Sequence, residues 1–423
     1  MGVSFAKLFL RLHTKKIPKA SIIHALLYLF VIFTIFIGFQ LDQIIFTFSF
    51  PEFANIIGYG TGTTGPSIDG NSKNITIYQE IDPVLPKKFT KFTKAKYVGG
   101  KYPAGWMPGD WDYQATKILI IKNITFTTEV AFLILNGYHL FGRSCHPRYW
   151  NIGQPYHWSP YNYTCFKTVI CVGHQHTHEW GHWSLEVLPS IACIPQEILK
   201  DTVIIVPEIK PFIINNLMEL DIEPWRIWAE FNGRVHAETL ITIRNIWCGD
   251  INRRLVLNLR NFFKEKFSLD KVVPFRYIIA NRRPDQKRYI ADIHKLVDAC
   301  NTEFPMFHFE PFTPDDSKPF FEQALFFNSI KFIWGVHGSL LANILYMQPK
   351  TVVVEMQCEN NWLNSFLNIG QIAGLCHFAG RDSIDFYVHK NNTIDLKYNL
   401  YVIATALVES NYIFKNQTKL LKN

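Results

Sequence analysis

Three groups of residues in this chain have the types and spacing to carry chemistry. His182 and Glu186 stand four residues apart in HWSLEVLP, a spacing that puts both on one face of a helix. An imidazole beside a carboxylate makes a general-base pair, in which one group abstracts a proton and the other orients it. Sequence leaves the order of those roles open, and leaves open that the pair only buttresses a cleft. A second group follows the apolar run RYIIAN, where Arg282, Arg283, Lys287 and Arg288 crowd into one turn. Guanidinium forks at a strand end suit a diphosphate; a solvated basic loop is the competing reading. The third is GVHGSLLANILYMQPKTVVVE. Here His337 sits between Gly335 and Gly338 at a strand-to-helix turn, where Gly338 lets the backbone come close to a phosphate. The N–H groups of Ser339 and Leu340 would face that phosphate, with Asn343 on the first turns of the helix. Glu355 ends the next strand, placed to accept ribose hydroxyls.

Two metal motifs compete with these. His178-Glu179-Trp180-Gly181-His182 is a literal H-E-x-x-H, the zinc-protease pattern, and His174 and His176 lie beside it. That pattern works because two histidines at i and i+4 share a helical face. Gly181 weakens such a helix, and no clean third-ligand motif follows downstream. Asp110-Trp111-Asp112 is a literal DxD, a clamp for a metal-bound nucleotide. It falls in a loop-rich stretch ahead of the strand-and-helix alternation, so no divalent metal and no other cofactor is expected.

These residues need a scaffold, and the C-terminal half supplies its rhythm. RYIIAN, MFHFE, KFIWGV and TVVVEM read as strands. KRYIADIHKLVDAC, KPFFEQALFFNSI and SLLANILYM read as helices between them. That alternation predicts a parallel sheet covered on both faces. Upstream, ILIIKNITF, VAFLILNGYHLF and DTVIIVP read as strands, HWSLEVLPSIACI and FIINNLMEL as helices. FIWGVHGSLLANILYM is short, holds two glycines and a histidine, and ends at Pro349, so a buried strand, turn and helix explain it better than a membrane span.

At the N-terminus, residues 21–40 contain no Asp, Glu, Lys or Arg. Twenty residues at ~1.5 Å rise reach about 30 Å, the thickness of a hydrocarbon core. Five cations and no acid precede them (Lys7, Arg11, Lys15, Lys16, Lys19) and Asp42 follows, so the N-terminus is expected in the cytosol and the rest across the membrane. The run is long for a cleaved signal peptide, the alternative, and no small-x-small site closes it. Ala6 stands where a myristoylation pattern needs Ser or Thr. All eight cysteines and the sequons at Asn74, Asn123, Asn162, Asn391 and Asn416 lie beyond the span, as a lumenal domain of the Golgi or endoplasmic reticulum requires. Some cysteines are expected to pair, and Cys165 with Cys171 would close a small loop. The net charge of +8 suits an anionic substrate, a membrane surface or a nucleic acid without choosing among them.

Taken together, the motifs resemble glycosyltransferase family 61. The family's GxHGAxxxNxxFxxPGxxVxE stands here as GVHGSLLANILYMQPKTVVVE, with Ser339 for Ala and Lys350 for Gly. Its R-x-x-x-x-R-x-x-x-N stands as RRPDQKRYIAD, with Ala291-Asp292 where Asn is expected. Its HWxxDxLP stands as HWSLEVLP, with Glu186 for Asp. The resemblance covers roughly residues 115–380, in the family's order. It implies an α/β protein of GT-B type, two Rossmann-like domains with the donor nucleotide held by the second. It implies an inverting enzyme moving a sugar, GlcNAc or xylose first among candidates, from a UDP-sugar to a glycoprotein or glycan acceptor, with no nucleic acid as partner. On that frame the chain divides into a cytosolic tail (1–20), a transmembrane helix (21–40), a stem (41–96), an acceptor-side domain (97–270), a nucleotide-sugar domain (271–390) and a last segment (391–423) whose helix would return to the first domain. The departures at Ser339, Lys350 and Asp292 leave room for a relative that binds without turnover.

Overall fold

The computed structural model describes residues 77–83, 96–98, 117–127, 134–135, 138–139, 164–172, 174, 176–206, 208–229, 234–243, 251–315, 318–358, 363–384 and 392–413. The expected span 21–40, Asp110-Trp111-Asp112 and the sequons other than Asn123 lie outside them. Among the described residues, no helix is long and apolar enough to cross a membrane.

The second half forms a six-stranded parallel sheet from β2 (Lys96–Tyr97), β10 (Arg276–Ala280), β11 (Phe309–Phe312), β12 (Ile330–Val336), β13 (Val352–Cys358) and β14 (Cys376–Asp382), in the order β11-β10-β12-β13-β14-β2. This is the doubly wound order, and its winding reverses between β10 and β12. Successive strand residues face opposite layers. Ile278, Ile333 and Val353 point into one core, while Ile279, Trp334 and Val354 point into another. Both faces are therefore apolar, as a sheet with helices on each side demands. The first half has a mixed sheet. β6 (Thr164–Cys171), β7 (Val203–Val206) and β8 (Ile227–Ala229) are parallel, and β9 (Arg234–Ile243) runs parallel to β6 on its other side. β3 (Ile118–Thr127) then pairs antiparallel with β9. The fold is thus α/β and Rossmann-like in its parallel parts.

Several expectations are corrected. The stem was to run from 41 to 96, but β1 (Ile77–Ile81) inside it pairs with β3, and Lys96 begins β2 on the second sheet. IYQEI adds as a short antiparallel strand along β3, pairing from Ile77 with Ile121 to Ile81 with Ile118. The last helix (Leu396–Glu409) meets the early chain at β2, where Tyr398 Oη donates to Val98 O at 3.0 Å. It packs on β13 and β14, and Trp334 Nε1 donates to Asn399 Oδ1 at 3.1 Å. Cys165 and Cys171 cannot pair, because they lie on one strand, and six residues of strand separate their backbones by about 20 Å. No disulfide joins any two of the six described cysteines. SLLANILYM forms a 3-10 helix (Ser339–Tyr346) rather than an α-helix. Asn123 sits exposed in β3 with φ 48°, an irregularity in the strand at the sequon's asparagine.

Candidate active site

Both groups of expected site residues lie just past the C-terminal ends of parallel strands, where an open α/β sheet gathers ligands. After β6 comes a histidine-bearing turn and then a helix that starts at Trp180 and continues to Ala192, with a π-helical stretch at Trp183–Val187. The π-turn falls where His182 and Glu186 meet, and such turns recur at functional sites. Glu186 is buried. Its Oε1 lies 2.8 Å from His182 Nδ1 and its Oε2 lies 2.5 Å from His174 Nε2. Burial pushes the Glu186 carboxyl up, but the charge and hydrogen bond of His174, and then those of His182, overcome it and hold the group at about 2. Burial likewise opposes a charged His182; the hydrogen bond and charge of Glu186, helped by Glu179, prevail and raise its pKa above 6.5. Nδ1 being engaged, Nε2 is the nitrogen of His182 that can meet a substrate. His174 was visible in sequence only as part of a histidine cluster; nothing there marked it as the second clamp on Glu186.

The H-E-x-x-H reading fails on geometry. The helix begins at Trp180, so His178 precedes it and shares no helical face with His182. His178 groups instead with His176 and Glu179.

Across from this helix stand the two loops at the switch between β10 and β12. Asn281, buried, staples the first: its Nδ2 donates to Ile290 O and its Oδ1 accepts from Arg282 N and Ile290 N. Sequence reasoning missed Asn281, since an Asn after a strand reads as an ordinary turn residue. Arg282 Nη1 donates to Lys287 O at 3.0 Å, and Arg288 Nη1 donates to His337 O at 2.6 Å. Arg288 holds φ 65°, a left-handed backbone that costs a side-chain-bearing residue about 1–2 kcal/mol, strain of a kind that collects at functional loops. The two loops meet at Gly338, where an added Cβ would lie 3.2 Å from Arg288 Nη1 and 3.3 Å from Arg282 Nη2. A side chain there would push both guanidinium groups back by a few tenths of an ångström. Burial lowers the Arg282 pKa, yet a guanidinium stays charged in protein.

The helix of His182 and Glu186 touches the same place, since a Cβ on Gly181 would stand 3.4 Å from Ser339 Oγ. Between them lies a cavity of about 470 Å³, lined by Glu179, Trp180, Arg282, Arg283, Ser339 and Asn343 among others. Asn343 is 5% exposed, and its Oδ1 has no hydrogen-bond partner among the described residues, an acceptor left for a ligand. A second hollow of about 380 Å³, sharing Pro314, Gln323, Leu340 and Asn343 with the first, runs on past Phe312 and Phe326. The 3-10 helix behind Ser339 is clamped by Arg260, whose guanidinium donates to Leu345 O and to Met347 O at 2.9 Å. Burial lowers the Arg260 pKa to about 10.

One site residue behaves differently from expectation. Glu355 is fully buried, with Oε1 2.5 Å from His337 Nδ1 and Oε2 3.0 Å from His377 Nε2. Gln357 Nε2 also donates to it at 2.7 Å. No oxygen remains for a ribose; Glu355 fixes the His337 turn from beneath. Burial raises its carboxyl pKa, and the bonds from His337 and His377 outweigh that, leaving it lowered. Glu355→Ala strips partners from three buried groups, and about 3 kcal/mol of unfolding free energy should go with them. A urea midpoint equal to that of the unchanged chain would refute this account.

Lys350 stands where the family pattern has Gly, and its φ is 69°. The turn after Pro349 requires the left-handed region, which explains the pattern's glycine, and lysine adopts it at a cost. The comparisons agree with this geometry. The family model for glycosyltransferase 61 matches residues 180–354, beginning at the helix of His182 and Glu186 and running through both loops of the switch point. No curated protein matches the chain. That match, over about two fifths of the chain, supports the reading of a family 61 glycosyltransferase.

Proposed function

We propose that the chain transfers a sugar from a UDP-sugar to a hydroxyl of a glycoprotein or glycan acceptor, with inversion at the anomeric carbon. The observation that carries this is the convergence of Arg282 and Arg288 on Gly338, beside a cavity lined by Arg282, Arg283 and Ser339 and, at the head of the His182 helix, by Glu179 and Trp180. The acceptor oxygen attacks the anomeric carbon from the face opposite the diphosphate. His182 Nε2 takes the hydroxyl proton, the new C–O bond forms, and the bond from the anomeric carbon to the diphosphate oxygen breaks with its electron pair leaving on UDP. Arg282, Arg283 and Arg288, with the N–H groups opening the 3-10 helix, neutralise the charge that develops there. Glu186, closed off from solvent, positions His182 and stabilises the imidazolium. Transfer on this scheme needs no metal.

In this reading the second hollow, past Phe312 and Phe326, takes the nucleoside, and Asn343 reads a hydroxyl or phosphate where the two hollows join. The frame is of GT-B type, and GlcNAc and xylose are the donor sugars first in line. The protein acts in the Golgi or endoplasmic reticulum, tethered through residues 21–40 with its catalytic part in the lumen. The aromatic residues Trp106, Trp111, Trp150 and Trp158, proposed to stack on acceptor sugars, lie outside the described residues.

Thermal unfolding of the purified chain in a panel of nucleotide sugars tests the donor. At 100 times the dissociation constant, a true donor or its UDP product should add about 2.7 kcal/mol of stability. A panel in which no uridine nucleotide raises the midpoint would reject the UDP-sugar reading.

A further inference from the structure

His176, His178 and Glu179 form a group of donors on the solvent side of the catalytic pair. His176 Nδ1 lies 3.3 Å and His178 Nε2 lies 3.8 Å from Glu179 Oε1, and one ligand atom from each residue lies within 4.8 Å of the others. Tetrahedral zinc with bonds of 2.0–2.1 Å sets neighbouring ligand atoms about 3.3 Å apart. Small rotations of half-exposed side chains close the difference. Two imidazoles and a carboxylate are the donor set of a borderline first-row dication, zinc above magnesium or calcium. The neighbouring group of His174, His182 and Glu186 is the weaker candidate. Both Glu186 oxygens are already bonded to the two rings at 2.5 and 2.8 Å, in a buried place a cation would have to enter by breaking both bonds.

Glu179 also lines the cavity shared with Arg282 and Arg283, and its charge acts on Arg282. A bare carboxylate there works against an anionic diphosphate, whereas a dication held by it attracts one. We propose that His176, His178 and Glu179 bind one zinc ion at the edge of the donor cavity, and that this ion and a nucleoside diphosphate tighten each other's binding. The coupling rests on the donor-site reading above; the zinc site does not. Because the arginines neutralise the diphosphate on their own, the ion tunes affinity without being required for transfer.

Calorimetric titration of zinc into the untagged full chain, with and without UDP and with zinc–UDP association measured separately, provides the test. One zinc per chain is expected, weakened at least about tenfold in His178→Ala and in Glu179→Gln. UDP should tighten it about fivefold or more, with zinc tightening UDP by the same factor, as linkage demands. Absence of saturable zinc binding, or undiminished binding in both variants, overturns the site. Zinc affinity indifferent to bound UDP overturns the coupling. Zinc binding through these residues in a chain that binds no UDP upholds the site and rejects the donor reading instead.

Discussion

Replacing His182 with alanine is expected to lower kcat by about two to four orders of magnitude, the usual worth of a positioned general base. Donor KM should stay within about twofold, because the ring acts on the acceptor proton and not on the diphosphate. The pH profile separates this from a structural role. His182 must be neutral to accept a proton, and its pKa is raised above 6.5 by Glu186 and Glu179, so the rising limb of kcat/KM belongs above pH 6.5. Glu186→Gln removes the main charge holding that proton, and the limb should move to lower pH while the rate falls. Stability follows the opposite signs for the two partners. Glu186, held at about 2 against an ordinary 4.5, contributes fully above pH 4.5 and loses its contribution as pH falls towards about 2. His182 contributes below pH 6.5 and loses its contribution as pH rises through its raised value. UDP release measured from pH 5.5 to 8.5 decides the kinetic part. A His182→Ala enzyme within threefold of the unchanged one would sink the assignment.

Arg282→Ala should cost about 10²–10³ in kcat, the loss typical when one donor to a developing anion is removed. Its guanidinium is largely buried, turned toward Gly338, and held by Lys287 O. Water that replaces it cannot match a fixed charge in a low-dielectric wall. Arg282→Lys should recover little, since an ammonium cannot both hold Lys287 O and reach the phosphate in a plane. Arg288→Ala should fall almost as far and for a second reason, because Arg288 also ties His337 O and its loss frees the turn. Steady-state kinetics with saturating acceptor measure both. Full activity in Arg282→Ala would remove the diphosphate from this place.

The switch-point loops were legible because their signals are local. A run of β-branched residues ending in arginines, and a strand ending in His-Gly, each state their conformation within a dozen residues, and both appear where expected. The strands Arg276–Ala280, Ile330–Val336 and Val352–Cys358 follow the apolar runs almost residue for residue. What escaped was set by partners distant in sequence. Glu355 looks like a ribose ligand until His377, on the next strand, takes its second oxygen. Asn281, Arg260 and His174 look ordinary until Ile290, Met347 and Glu186 are beside them. The disulfide expectation failed differently. Cysteines six positions apart close a loop only if the chain turns between them, and TCFKTVIC runs straight as one strand.

Residues from both sheets share a single apolar interior. Ile170, Ile204 and Ile241 of the first belong to the same buried cluster as Ile278, Ile333 and Val353 of the second, joined by Leu255, Leu259 and Phe263 of the helix Arg253–Lys266. Separating the halves by a hinge would wet that interior at about 25 cal/mol for each Å² exposed. Sugar and product therefore have to pass by rearrangement of side chains and surface segments around a stationary frame, and turnover would be paced by those segments and not by swinging of one lobe against the other.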